Sequence, residues 1–263
     1  MKKTLQISNG VALLITITIN YLSVAGIFGG QTVKEISDKY HNYFTPAGYA
    51  FSIWGFIYLW LVGFVVYTGR GLFIANVYEA SKDDEVTNMG WWFVVSCLAN
   101  SFWIVAWTHD LMGISVILIF LLLFSLLKII THTRMELDYH PFKKYLFIFW
   151  PFAIYAGWIT VALIANIAVW LTKTGWNGWG MSPISWTIIM IVIACLINVL
   201  MILKRNLREF GLVGIWALIA IAVSNKNVVQ PIEIVSYAVA AIIFLFILLS
   251  IYKARKGRSL GMM

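Results

Sequence analysis

The sequence predicts an all-helical integral membrane protein, and three observations lead to that class. Of the 263 residues, 61% are apolar and only 11% are charged, whereas soluble domains carry about 25% charged residues. Long stretches without Lys, Arg, Asp or Glu recur along the chain. The basic residues are concentrated in alternate connections between these stretches, which is typical of a multi-pass membrane protein.

The uncharged stretches predict about eight transmembrane helices, because a helix needs about 20 mostly apolar residues to cross a bilayer. The third and fourth stretches are separated only by His109 and Asp110, which predicts a tight antiparallel hairpin. The seventh stretch is the shortest. The predicted spans cover residues 10–30, 47–69, 90–108, 111–131, 145–172, 183–203, 210–225 and 232–252.

The distribution of charge predicts the orientation. The N-terminus, three alternate loops and the C-terminal tail hold 15 of the 19 Lys and Arg residues. Since loops rich in Lys and Arg stay in the cytoplasm, both termini are predicted to be cytoplasmic, in a cell (inner) membrane. The net charge of +8 therefore reflects topology, and we expect the lipid bilayer, not nucleic acid, as the surrounding partner. No repeat or linker divides the chain, so residues 1–263 are predicted to form a single membrane domain.

Three of the predicted spans carry polar and aromatic residues along one helical face. Pro46 precedes the first of these faces, where it can fix the turn into the helix. Two interpretations are open: the Asn side chains join helices by hydrogen bonds, or the faces line a ligand pocket. The faces are Phe51, Trp54 and Tyr58 in the second span, Asn100, Trp103 and Trp107 in the third, and Pro151, Tyr155, Trp158, Ala162 and Asn166 in the fifth.

The longest predicted outer loop, about Gln31 to Tyr43, leads directly into Pro46. Two interpretations are open here as well. The loop is either a lid over the aromatic faces or a solvated connection between the first two spans.

The sequence offers little for catalysis. No Asp, Glu, Lys or Arg lies deep within a predicted span, and a retinal-type photoreceptor would need such a Lys for its Schiff base. His109 and Asp110 are an adjacent titratable pair, but their position at a hairpin tip favours an interfacial turn over an active site. We therefore expect no enzyme, no catalytic residues, no metal site and no cofactor.

Three motifs carry a resemblance to a known family. The run Thr45 to Tyr58, with its Pro entry and its Phe, Trp and Tyr face, resembles the second helix of the tryptophan-rich sensory protein family (TspO/MBR), relatives of the mitochondrial translocator protein. Asn100-Ser101-Phe102-Trp103 is similar to the Asn-x-x-Trp of that family. Trp158-Ile159-Thr160 with Asn166 resembles its Trp-x-Thr followed by an Asn. The chain departs from the pattern in spacing: Phe51 to Trp54 is one residue shorter than usual.

The resemblance implies a five-helix core over residues 10–172 and a long form in which residues 173–263 add three transmembrane helices and a basic tail. It implies a pocket for flat hydrophobic ligands, such as porphyrins, haem-like tetrapyrroles or sterols, beneath the loop that joins the first two helices. The resemblance leaves transport, degradation and sensing of such ligands open, and we expect binding ahead of transport. With Trp107 and Tyr155 added from the same helical faces, the predicted ligand-binding residues are Pro46, Phe51, Trp54, Tyr58, Asn100, Trp103, Trp107, Tyr155, Trp158 and Asn166.

Two alternatives accompany this interpretation. Pro151 and Gly157 could break the fifth span, which would favour a transporter of a neutral small molecule unrelated to the ligands of the family. Short members of the family form dimers through helix faces. A homodimer is therefore one expectation, and a monomer whose extra helices cover that face is the other.

Overall fold

The computed structural model describes residues 1–27, 31–72, 85–138 and 140–260, and the regular structure in these ranges is helical. A short 3₁₀ turn, Gly48–Ser52, leads into α3, and a π-helical turn, Tyr145–Phe149, leads into α8. The helices are α1 (Lys2–Val24), α2 (Val33–Lys39), α3 (Ile53–Gly69), α4 (Glu85–Met89), α5 (Trp92–Thr108), α6 (Met112–His132), α7 (Phe142–Lys144), α8 (Trp150–Lys173), α9 (Pro183–Arg205), α10 (Arg208–Ser224) and α11 (Gln230–Leu260).

Each predicted span coincides with one of the long helices, which confirms the all-helical class. Six helical segments among the described residues are long and apolar enough to cross a membrane. Helices α5 and α10 have 17 residues each, about 25 Å of helix, which is shorter than the roughly 30 Å hydrocarbon core. The number of spans and the side of the membrane on which the termini lie stay predictions.

The boundaries of the first helix differ from the predicted 10–30. Helix α1 begins at Lys2 and ends at Val24, because Gly26 adopts a left-handed φ of 74°. The N–H of Ile27 then donates to the carbonyl of Leu22 over 3.1 Å, a helix-ending arrangement that glycine favours. The uncharged run in the sequence therefore predicted the position of α1 but not the residue at which it ends.

Five long helices form a closed ring in the order α1, α3, α8, α6 and α5, each packed against the next. Helices α5 and α6 are joined at His109 and Asp110, and Asp110 takes a φ of 61°. The structure thus confirms the predicted hairpin. Helix α8 is the most enclosed long helix, with 67% of its most apolar stretch buried compared with 28% for α3.

The three additional helices reach the ring through α10, which packs on α8 and also against α9 and α11. Gly157 allows this approach, since a Cβ atom there would lie 2.9 Å from the carbonyl oxygen of Phe210. Helix α8 runs unbroken from Trp150 to Lys173, with Pro151 in its first turn. The break that would have favoured the neutral-substrate transporter does not occur at these residues.

The predicted loop before Pro46 contains a helix that the sequence analysis missed. Helix α2 has a capping box: the Thr32 hydroxyl accepts from the N–H of Glu35, and the Glu35 carboxylate accepts from the N–H of Thr32 over 2.7 Å. The hydrogen bonds from Thr32 lower the pKa of the Glu35 carboxyl. The Thr-x-x-Glu spacing was the available signal for this helix.

Candidate functional site

An enclosed cavity, hereafter the core cavity, lies between α2, α3, α5 and α8 near the end of the ring that carries Asp110. It has a volume of about 40 Å³, which is room for a few water molecules at most. Its lining residues are Val33, Ser37, Thr45, Pro46, Phe51, Trp54, Trp103, Trp107, Trp158, Val161, Ala162, Ala165, Asn166 and Val169.

The core cavity is small because aromatic rings fill it. Trp54 stacks on Trp103 with 5.8 Å between ring centroids and on Tyr58 with 5.7 Å. The ring of Trp158 meets Trp54 edge-on at 6.4 Å and Phe51 edge-on at 6.2 Å. Ligand pockets usually measure about 300–1,000 Å³, so a tetrapyrrole enters only if these rings or the elements that cover them move.

Two of the indole N–H groups in the wall are satisfied within the protein. Trp103 donates to Asn166 Oδ1 over 2.9 Å, and Asn166 Nδ2 donates in turn to the hydroxyl of Ser115 over 2.8 Å. Trp107 donates to the carbonyl of Val33 over 3.1 Å. Asn166 thus connects α5, α6 and α8, and the hydrogen bond of Trp107 connects α2 to α5.

Trp158 differs, because its Nε1 atom is buried and has no hydrogen-bond partner. Its side chain is 2% exposed. Leaving a buried donor unpaired costs about 1–3 kcal/mol, and native proteins contain few such groups. The Trp158 N–H is therefore available to any acceptor that enters the cavity.

Three of the ten predicted site residues lie outside the lining of the core cavity and form a polar network behind it. Asn100 Oδ1 accepts from Asn20 Nδ2 at 2.9 Å and from the Tyr58 hydroxyl at 3.4 Å. Asn100 Nδ2 donates to the Tyr155 hydroxyl over 2.7 Å. The network joins α1, α3, α5 and α8, so Tyr58, Asn100 and Tyr155 act here as interhelical contacts, while the other seven predicted residues line the cavity.

Helix α2 covers the core cavity, and hydrogen bonds to Asp110 hold the end of this helix in place. The Asp110 carboxylate accepts from Lys39 Nζ at 2.8 Å, from the Tyr40 hydroxyl at 2.7 Å and from Lys173 Nζ at 2.9 Å. Burial alone would raise the pKa of this carboxyl, but the donors on Lys39, Lys173 and Tyr40 outweigh it and lower the pKa to about 2. We call Asp110 and its three donors the latch.

The additional helices hold the turn that leads into α3. The N–H of Ala47 donates to the carbonyl of Ala220 over 3.0 Å, and Asn225 Nδ2 donates to the carbonyl of Tyr43 over 2.9 Å. The ring of Tyr49 meets Trp216 edge-on at 5.2 Å. Helix α10 therefore fixes the entrance of the helix that carries Phe51 and Trp54.

Two groups of lining residues were not predicted from the sequence. Val33 and Ser37 belong to α2, whose helical conformation was not predicted. Val161, Ala165 and Val169 continue the face of Trp158 along α8 at helical spacing, but small apolar residues give no chemical signal of their own. Extending the predicted face by one further turn would have found them.

The fold and the cavity define a multi-pass helical membrane protein in which a five-helix ring encloses a tryptophan-lined cavity. A family model described as TSPO-like protein matches residues 6–249. The chain therefore belongs to the TSPO-like family, which confirms the resemblance and extends it beyond residues 10–172 into α11. No curated protein and no solved structure matches the chain.

Proposed function

We propose that the protein binds a flat hydrophobic ligand, of the porphyrin, haem-like tetrapyrrole or sterol class, in the core cavity. The observation that carries this proposal is the unpaired N–H of Trp158, buried in an aromatic wall. Aromatic faces stack on planar rings, and a single donor fixes the orientation of a polar edge. None of the lining residues is titratable, so we propose binding without catalysis.

Binding in this cavity requires an opening step. Helix α2 is seven residues long and is held over the cavity by the latch and by the Trp107 hydrogen bond. Its release would uncover Trp54, whose stack on Trp103 occupies the space that a planar ligand would take. A ligand inserted there would stack on both rings and would accept the hydrogen bond of Trp158.

We also propose the cell (inner) membrane as the location, with both termini in the cytoplasm, on the distribution of Lys and Arg alone. Coupling of binding to transport would require a second exit from the cavity. Transport is therefore a further step of the proposal, and it is tested separately by ligand flux in proteoliposomes.

The test of binding is a titration of the purified protein with protoporphyrin, followed by tryptophan emission. We expect saturable quenching, and we expect Trp158→Phe, which keeps a ring but removes the donor, to weaken binding about five- to tenfold, as for the loss of one hydrogen bond. Trp179→Phe is the matched control, since Trp179 is 77% exposed in a loop. Quenching that does not saturate, or a Trp158→Phe affinity equal to that of the control, would overturn the proposal.

A further inference from the structure

A second cavity lies on the outside of the ring, in a groove between α3, α8 and α10 that we call the side groove. Its volume is about 560 Å³, within the usual range of ligand pockets. Phe56, Trp60, Trp150 and Trp216 form most of its aromatic surface, and it shares no lining residue with the core cavity. Trp60 and Trp150 stack with 5.8 Å between centroids and 17° between planes, which gives the groove a flat wall.

One end of the side groove is acidic. Glu209, in the first turn of α10, lines the groove, and its Oε2 atom is buried without a hydrogen-bond partner. Glu136 Oε1 is also buried without a partner. Burial, and then the charge of Glu209, raise the pKa of the Glu136 carboxyl to about 8, so the two carboxyls are close enough to interact.

Among the residues that the structure describes, no cation forms an ion pair with Glu136 or Glu209, although the charge of Arg208 acts on both carboxyls. The nearby Arg208 donates to the hydroxyl of Ser250 at 3.1 Å and to Asn206 Oδ1 at 3.0 Å, and it forms no ion pair with Glu209 or Glu136. A buried carboxylate without a counter-charge is costly. A ligand that supplied a positive charge here would remove that cost.

We propose that the side groove binds a lipophilic amine, with its ammonium group at Glu209 and its flat apolar body against Trp60 and Trp216. Glu209 and Trp216 are seven residues apart on α10, about 10 Å along the helix axis. This separation sets the length of the apolar body. The aromatic faces favour a planar group and also attract a cation that approaches them.

The charge of the groove distinguishes this occupant from two others. A sterol hydroxyl is neutral and would leave Glu209 without a counter-charge. A phospholipid headgroup would bring its phosphate to an acidic end that offers it no ion-paired cation. Both remain distinguishable outcomes of the test below. The proposal does not depend on ligand binding in the core cavity, since the two cavities have separate walls.

The test uses a pair of probes that differ in charge, 1-pyrenemethylamine and the neutral 1-pyrenemethanol, with the full-length protein in nanodiscs. Energy transfer from the thirteen tryptophans to pyrene reports binding to the protein, and the substitutions below assign it to the side groove. We expect the amine to bind saturably and at least tenfold more tightly than the alcohol. Equal affinities would overturn the proposal in favour of a neutral occupant, and the absence of a saturable component would overturn it in favour of bulk lipid.

Two substitutions assign the site. Glu209→Gln should lower the affinity for the amine to that for the alcohol, whereas Glu233→Gln, which removes the first-turn glutamate of α11, should change neither. Leu212→Trp should weaken both probes by filling the groove, since Leu212 lines it and is half exposed. An amine affinity unaffected by both Glu209→Gln and Leu212→Trp would exclude this groove. Protoporphyrin binding by the same variants reports independently on the core cavity.

Discussion

The core cavity and the side groove both have aromatic walls, but they differ widely in volume. Both are lined by tryptophan, yet one holds about 40 Å³ and the other about 560 Å³. In the core cavity the rings of α3, α5 and α8 point inwards and stack on one another. In the side groove Trp60 and Trp150 stack along one wall, and α10, which packs on α8, forms another.

Tryptophan content alone therefore does not make a binding site. Inside the five-helix ring the aromatic side chains stack on one another and fill the space between them. The feature that still points to a ligand there is the unpaired N–H of Trp158. Rings on the outer face of the same helices leave space, and there the signal is an unpaired carboxylate on Glu209. A planar ligand would fit the core cavity only after the rings that fill it move, whereas the side groove has room for one without movement.

The largest expected effect comes from Gly157→Ala, which tests whether close packing of α10 on α8 shapes the side groove. The added Cβ would lie 2.9 Å from the Phe210 carbonyl oxygen and 3.1 Å from Val213 Cβ. We expect destabilisation of about 1–3 kcal/mol, as for other overpacked sites, and a loss of pyrenemethylamine binding that exceeds the loss of protoporphyrin binding.

The matched control is Gly55→Ala in α3, where nothing lies within 4 Å of the added atom. Thermal unfolding in detergent should separate the two variants, with Gly55→Ala unchanged or slightly more stable. Equal unfolding temperatures would show that α8 and α10 are not packed as closely as the structure indicates.

The second expected effect concerns the latch and the core cavity only. Asp110→Asn removes the charge that Lys39 and Lys173 share. Exposed ion pairs contribute about 0.2–1 kcal/mol each, so the loss of two pairs should make protoporphyrin associate roughly two- to thirtyfold faster, while pyrenemethylamine binding stays unchanged. Stopped-flow quenching measures both rates. Asp138→Asn, which breaks a local pair with Arg134, is the control, and an equal acceleration in that variant would remove Asp110 from the closing mechanism.

The latch also predicts a dependence on pH with a defined sign. The pKa of Asp110 is lowered from 3.8 to about 2. The stabilisation of the closed position of α2 by the latch is therefore complete above about pH 4 and is lost as the pH falls towards 2. The rate of protoporphyrin association should therefore not change through protonation of Asp110 between pH 7 and pH 4. If the rate instead rose fully by pH 5 in the parent protein, and did not rise in Asp110→Asn, the paired state of this carboxyl would be contradicted.

Much of the fold could be predicted from the sequence, because uncharged runs report directly on helices that lie in lipid. Helical spacing also predicted that Phe51, Trp54, Trp103 and Trp158 line the same cavity. The end of α1 could not be predicted from hydropathy, since it depends on the backbone conformation of Gly26.

The rest of the site depends on contacts between distant residues. Tyr58, Asn100 and Tyr155 have the same spacing as cavity residues, and only the packing of four helices turns them into a network behind the cavity. The pairing of Asp110 with Lys173 spans 63 residues. The side groove exists only once α10 lies beside α8, an arrangement that no local pattern encodes.

The smallest expected effect concerns the acidic end of the side groove, which has no counterpart in the core cavity. Since burial and Glu209 raise the pKa of Glu136 from 4.5 to about 8, the folded state holds a proton that the unfolded state loses, and stability should fall as the pH rises from 4.5 to 8. Glu136→Gln should reduce this fall, and thermal unfolding at pH 6 and pH 9 measures it. Because the Glu136 side chain is only partly buried, solvent screening reduces this effect, and we expect a smaller change than for Gly157→Ala. Glu233→Gln should leave the pH dependence as in the parent protein. A pH dependence unaltered by Glu136→Gln would mean that the acidic end of the side groove is neutralised within the protein, which would remove the electrostatic contrast with the core cavity.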